Sequence, residues 1–216
     1  MKLKLLVSIL LLTPLFLPAT PSEAGDPNQL RILYGGGGCY RCNLPDTDFS
    51  TKDLSGVDLR HADLMRSNFS GTNLTSANLT RAALREAMLN SANLSGAVLW
   101  GANLIGASLN GANLNGANLQ YADLDSTNLS GANLTSADLS ASEIRDADLT
   151  GADLSGANLK DADLAGSKLA GVNFTNTNLS GANLKGIDWK NVVLCNTTGP
   201  NGKVSNRDCS QPNKDR

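Results

Sequence analysis

Residues 112–131 read ANLNGANLQYADLDSTNLSG, four five-residue units with Leu at positions 114, 119, 124 and 129. Stepping outward from Leu114 in fives reaches Leu44 on one side and Leu194 on the other, 31 positions without an insertion. Of these, 26 are Leu, three are Phe, one is Ile, one is Trp, and none is polar. Two residues before each, 18 of the 31 are Ala, and nearly all the others are Ser, Thr, Val or Cys. Between these two registers, 24 of 31 are Asn or Asp. The two remaining places hold mostly Ser, Thr, Asn, Gly or charged residues.

A period of five is neither the 3.6 of a helix nor the 2 of a strand. Each unit is therefore one structural step, with the Leu and the small residue both turned inward. Such a unit buries nothing alone and must coil and stack on its neighbours. Leu with Ala two residues earlier leaves little interior width, so the expected body is a narrow solenoid with a filled interior and no pocket. Lys52 and Ile187 replace the small inward residue near the two ends, where distortion costs least.

Units such as Ala112-Asn113-Leu114-Asn115-Gly116 and Ala152-Asp153-Leu154-Ser155-Gly156 resemble the A-[DN]-L-x-x signature of pentapeptide repeat proteins. The resemblance spans about residues 42–196. It implies an all-β chain, a right-handed quadrilateral (four-sided) parallel β-helix with four units per coil. The 31 units then make about 7–8 coils. At a strand spacing of ~4.8 Å the rod is roughly 37 Å tall. Residues 20 apart share a column, so Phe49 stacks on Phe69, and Trp189 lies on the same side in the last coil.

Residues 1–24 read as an address rather than part of the rod. Lys2 and Lys4 precede an apolar run from Leu5 to Leu17, and Ser22-Glu23-Ala24 supplies a cleavage site. This is the pattern of a signal peptide. The expected chain is exported to a periplasm or thylakoid lumen, with no transmembrane segment after cleavage. The combination resembles exported cyanobacterial members of the same family. Residues 25–41 form the expected N-terminal cap: Asp26-Pro27 starts a short helix, Leu30 and Leu33 face the first coil, and Gly35 to Gly38 turn the chain. Residues 197–216 are expected to be a looped C-terminal cap and a disordered tail.

The four cysteines sit in these caps. A disulfide needs Cα atoms within ~7 Å, and the caps lie tens of Å apart on this fold. Cys39–Cys42 and Cys195–Cys209 are thus the pairings that fit, in keeping with export. A Cys-x-x-Cys pair also suits redox or half of a zinc site, but His61 lies a coil away and no other ligand is near.

The chain carries 18 basic and 20 acidic side chains, a net charge of −2. That excludes bulk attraction to nucleic acid and also a strongly acidic nucleic-acid mimic. The one His has no nucleophile or orienting acid fixed beside it, and carboxylates on a convex surface escape the burial that tunes a catalytic pKa. The reading is a non-enzyme without cofactor or metal.

Surface columns are more informative. Arg41, His61 and Arg81 share one column, with Arg60, Arg66 and Arg85 beside it. Above them stand Val98, Trp100 and Tyr121, with Ile105 round the corner. A cationic edge crowned by exposed aromatic and aliphatic residues suggests a contact surface for another protein. A monomer or an end-to-end dimer is expected. Some pentapeptide repeat proteins imitate duplex DNA and modulate topoisomerases, an alternative that export and weak charge disfavour. The ladder Ser55, Thr75, Ser95, Asn115, Thr135, Ser155 and Thr175 raises the further alternative of a glycan- or ice-binding face.

Overall fold

The computed structural model describes residues 26–35 and 37–209. The expected signal peptide and the residues after 209 lie outside them.

One unit shows how the coil is held. In residues 112–116, the Ala112 N–H donates to Leu109 O at 3.0 Å, closing a turn inside the coil. The Asn113 N–H reaches back to Ala92 O at 2.9 Å, and the Leu114 N–H reaches forward to Asn133 O at 2.7 Å. The Gly116 N–H also goes forward, to Thr135 O at 2.9 Å. The fifth donor, the Asn115 N–H, bonds the Asn113 side-chain oxygen at 3.2 Å. All five N–H groups are satisfied, which a buried backbone requires.

This explains the Asn/Asp register. Its oxygen caps the one N–H that no neighbouring coil reaches, and where it is Asn its amide can also donate along the column. Asn73 donates to Asp53 at 2.9 Å, Asn113 to Asn93 at 3.1 Å and Asn133 to Asn113 at 3.3 Å. Parallel bridges join residues 20 apart, from Asn43 with Asp63 to Asn178 with Thr198. One coil therefore holds four units.

Every fifth residue from Arg41 to Asn196 takes a left-handed φ, 18 of them non-glycine and 14 glycine. This corner turns the chain from one side of the coil to the next. Glycine is suited to it because a Cβ makes this conformation costly. All glycines between residues 42 and 196 fall at this phase, a signal that a reading for hydrophobic period alone passes over.

The interior is a stack of Leu over Leu and Ala over Ala, nearly all fully buried. Phe49 and Phe69 stack with ring centroids 4.8 Å apart. Inward hydroxyls are accommodated: Thr72 and Thr177 each donate at 2.7 Å to a backbone carbonyl, of Phe49 and Leu154.

The lower end is closed by α1 (Pro27–Tyr34). Asp26 caps it by accepting the Asn28 N–H at 2.9 Å, and Leu30 and Leu33 are buried against the first coil. At the upper end the structure adds detail to the expected loop. Thr197 still occupies the buried inward register and Thr198 still bridges to Asn178, so the ladder extends past residue 196. β1 (Thr197–Thr198) and β2 (Val204–Ser205) then pair antiparallel. Disulfides join Cys39 to Cys42 and Cys195 to Cys209. No helix among the described residues is long and apolar enough to cross a membrane.

Two predictions follow from this hydrogen-bond plan. Asn113→Ala deletes three side-chain bonds and should cost about 1–3 kcal/mol, whereas Leu114→Ala, which opens the core, should cost about 2–5 kcal/mol; urea unfolding separates them. The carboxyls of Asp48, Asp53 and Asp148 are held below the usual range, chiefly by the Ser50 N–H and by the Ser55 and Thr150 hydroxyls respectively. With folded pKa values below unfolded ones, their contribution is intact above the unfolded pKa near 4 and vanishes as pH falls through the folded values. Thermal melts should be flat from about pH 6 to 5 and fall below about pH 4.

Candidate interaction surface

The left-handed corner that contains Arg41 also presents His61, Arg81, Gly101 and Tyr121 at successive coils. The residue before each corner gives a second column: Tyr40, Arg60, Thr80, Trp100 and Gln120. Long side chains on these two columns lie across one another.

At the lower end they gather on Tyr40. The Arg41 and Arg60 guanidiniums lie 5.2 and 5.6 Å from its ring centroid, and the half-buried His61 ring meets it edge-on at 5.5 Å. Higher up, Arg81 lies 4.9 Å from the Trp100 ring centroid, and Trp100 meets Tyr121 edge-on at 5.7 Å. Cation–π contacts of this kind hold a guanidinium against a ring face without using up its N–H donors. Tyr121 is 61% exposed. Val98, Trp100 and Ile105 are half-buried.

The six expected cations divide. Arg60 grips both oxygens of Asp58 at 2.8 and 2.7 Å, holding that carboxyl below its usual range. Arg66 stands at the next corner and binds both oxygens of Asp46 at 2.6 Å, so it leaves the edge. Arg41, Arg81 and Arg85 make no ion pair among the described residues. Tyr40, the ring on which three of these residues converge, was legible only as the column neighbour of Arg60.

The expectation of no pocket is corrected at both ends, where the ladder is distorted. A cleft of about 300 Å³ separates Leu33, Tyr34 and Gly38 from residues 53–58. There Lys52, at an inward register, is exposed instead, with its ammonium 5.8 Å from the Tyr34 ring centroid. A second cleft, about 410 Å³, opens between residues 166–170 and Gly186, Asp188, Lys190 and Asn191. Ile187 is too large for the inward site, and the bridge that would join Lys168 to Asp188 is missing from the ladder. Between the clefts the inward residues from Leu59 to Leu164 are fully buried.

Two other groups are already bonded internally. Asp123, Asp125 and Glu143 lie close enough to share an ion, but Arg145 bonds both Asp125 and Glu143. In the hydroxyl ladder, Thr75 and Thr135 donate at 2.7 Å to Asn73 and Asn133.

Comparison with known families matches the description "Pentapeptide repeats (8 copies)" over residues 39–71, 53–90, 92–131, 117–156 and 157–194. Among solved structures, HetL, a pentapeptide repeat protein involved in heterocyst differentiation regulation in the cyanobacterium Nostoc, is 31% identical, with 84% of this chain and 99% of that one covered and a TM-score of 0.39. Rfr23 from the cyanobacterium Cyanothece is 30% identical, covering 77% and 97%, with a TM-score of 0.32. A pentapeptide repeat protein from the Arabidopsis thaliana thylakoid lumen is 31% identical, covering 59% and 68%, with a TM-score of 0.21. No curated protein sequence matches.

In a Trp189→Phe background, which leaves Trp100 as the sole reporter, Arg81→Ala should shift the fluorescence emission to longer wavelength by uncovering the indole. Stability should change by no more than ~0.5 kcal/mol, as for a surface substitution.

Proposed function

This chain belongs to the pentapeptide-repeat family, and from that premise we propose that it is an exported, non-enzymatic scaffold whose rod surface binds another protein. The rod is a right-handed, four-sided β-helix of about 7–8 coils, the 31 units taken four at a time. The observation that carries the reading is the Arg81–Trp100–Tyr121 cluster, an exposed tyrosine against a half-buried tryptophan with a guanidinium over its ring. On a rod whose remaining surface is mostly Asn, Asp, Ser and Thr, it combines the residue types that dominate binding energy at protein interfaces.

Export is supported by the charged and apolar start of the chain and by pairing of all four cysteines, which suits an oxidising compartment. A periplasm or thylakoid lumen meets both conditions. The backbone donors and acceptors are largely consumed by the coils, so recognition falls to side chains on the two edge columns.

The test is affinity capture. The oxidised protein is immobilised and a periplasmic or lumenal extract is passed over it. Trp100→Ala should lose the captured protein while keeping the wild-type melting curve. Capture unchanged by that substitution, or no capture at low salt, overturns the proposal.

A further inference from the structure

The edge that carries Trp100 is polarised along the rod. Below the Trp100 coil the two edge columns bear Arg41, Arg60, His61 and Arg81, with Asp58 and Asp63 on the flanks; above it they bear Lys160 and Asp161, with Asp123, Asp138, Glu143 and Asp163 on the flanks. Val98, Trp100 and Ile105 lie in the coil between. The rod is neutral overall up to residue 121 and acidic over the coils above it. Residues 26–121 hold seven acidic and seven basic side chains, whereas residues 122–188 hold ten acidic and four basic, a net −6.

Such a gradient is self-complementary. An isologous two-fold contact sets one surface against itself. If the axis runs perpendicular to the rod at the Trp100 level, a second copy lies antiparallel and each column faces itself inverted. Because bridged residues are 20 apart, the facing positions can be counted. Val98 and Trp100 meet their own counterparts on the axis. One coil away, Arg81 meets Tyr121. Three coils away, Arg41 meets Asp161 and Tyr40 meets Lys160.

Apolar groups thus oppose apolar groups, Arg41 opposes a carboxylate, Arg81 and Lys160 oppose rings, and Arg60 and His61 oppose the neutral Ser140 and Ala141. The groups are accessible: Arg41 and Arg81 lack ion pairs among the described residues, and Asp161 has one contact at 4.0 Å, with the exposed Lys160. Two like-charged juxtapositions fall on the flanks, Asp58 with Asp138 and Asp63 with Glu143. Arg60 bonds the first aspartate and Arg145 bonds Glu143.

We infer that this edge pairs side by side and antiparallel with the same edge of a second copy of the chain, about a two-fold axis at Trp100. The inference rests on reading the edge as a protein-binding surface and names a partner for it. An end-to-end dimer would leave the edge free.

Sedimentation and small-angle scattering of the purified oxidised protein test this. At low salt a concentration-dependent dimer should form whose longest dimension stays close to that of one rod. It should weaken in ~1 M salt, where screening acts within ~3 Å. Arg41→Asp and Asp161→Arg should each weaken it about tenfold, since each change acts twice in the dimer. The two together should restore it. Trp100→Asp should abolish it, with circular dichroism reporting an intact fold. A monomer at every concentration, a dimer twice as long as one rod, or a dimer indifferent to the charge exchange overturns the inference. If extract capture persists and depends on Trp100 while the protein is monomeric, the scaffold reading stands and only self-pairing fails. Loss of both capture and dimer sinks both.

Discussion

Each unit places one N–H donor on the coil before and two on the coil after, and this offset holds only if every coil contains the same number of residues. An inserted residue would carry the next Leu off the inward register and shift the hydrogen-bond pairing above it. The sequence from residue 44 to 194 contains no such insertion. The constraint also explains why the corner tolerates left-handed backbone at 18 non-glycine residues. Each such residue is disfavoured by about 1–2 kcal/mol, but the corner N–H then points at a carbonyl of the next coil. A different local conformation would lose that bond and the stacking above it.

The same regularity accounts for where the structure deviates. A large side chain is absorbed at the ends because one neighbouring coil or none constrains it there. Lys52 leaves the inward register and lies toward Tyr34, while Ile187 stays half-buried and the ladder opens beside it. The ends also hold both disulfides. Their placement beside α1 and the β1–β2 hairpin ties down segments that have few repeated contacts of their own.

On a surface built from repetition, departures from the repeat are the informative positions. Asn and Asp at the outward register are consumed in capping the backbone, so their abundance says little about ligands. Tyr40, Arg81, Trp100 and Tyr121 serve no such backbone role. They stand at one corner and at the position just before it, where side chains of neighbouring coils approach within reach of each other. That placement turns scattered residues into one polarised edge.

The period, the inward residues, the stacking of Phe49 on Phe69, the neighbourhood of Trp100 and Tyr121 and the cysteine pairing were all determined by the sequence. Each depends on backbone phase, and a strict five-residue count fixes that phase. Tertiary structure alone decided which partner each long side chain takes. Arg66 turns to Asp46 and away from the cationic edge, Arg60 divides itself between Asp58 and Tyr40, and Arg145 draws Asp125 and Glu143 together. It also decided how far the ladder opens at Ile187. A column assignment places Cα atoms, but a guanidinium several bonds away can reach two columns and two coils, and only the packed surroundings select among them.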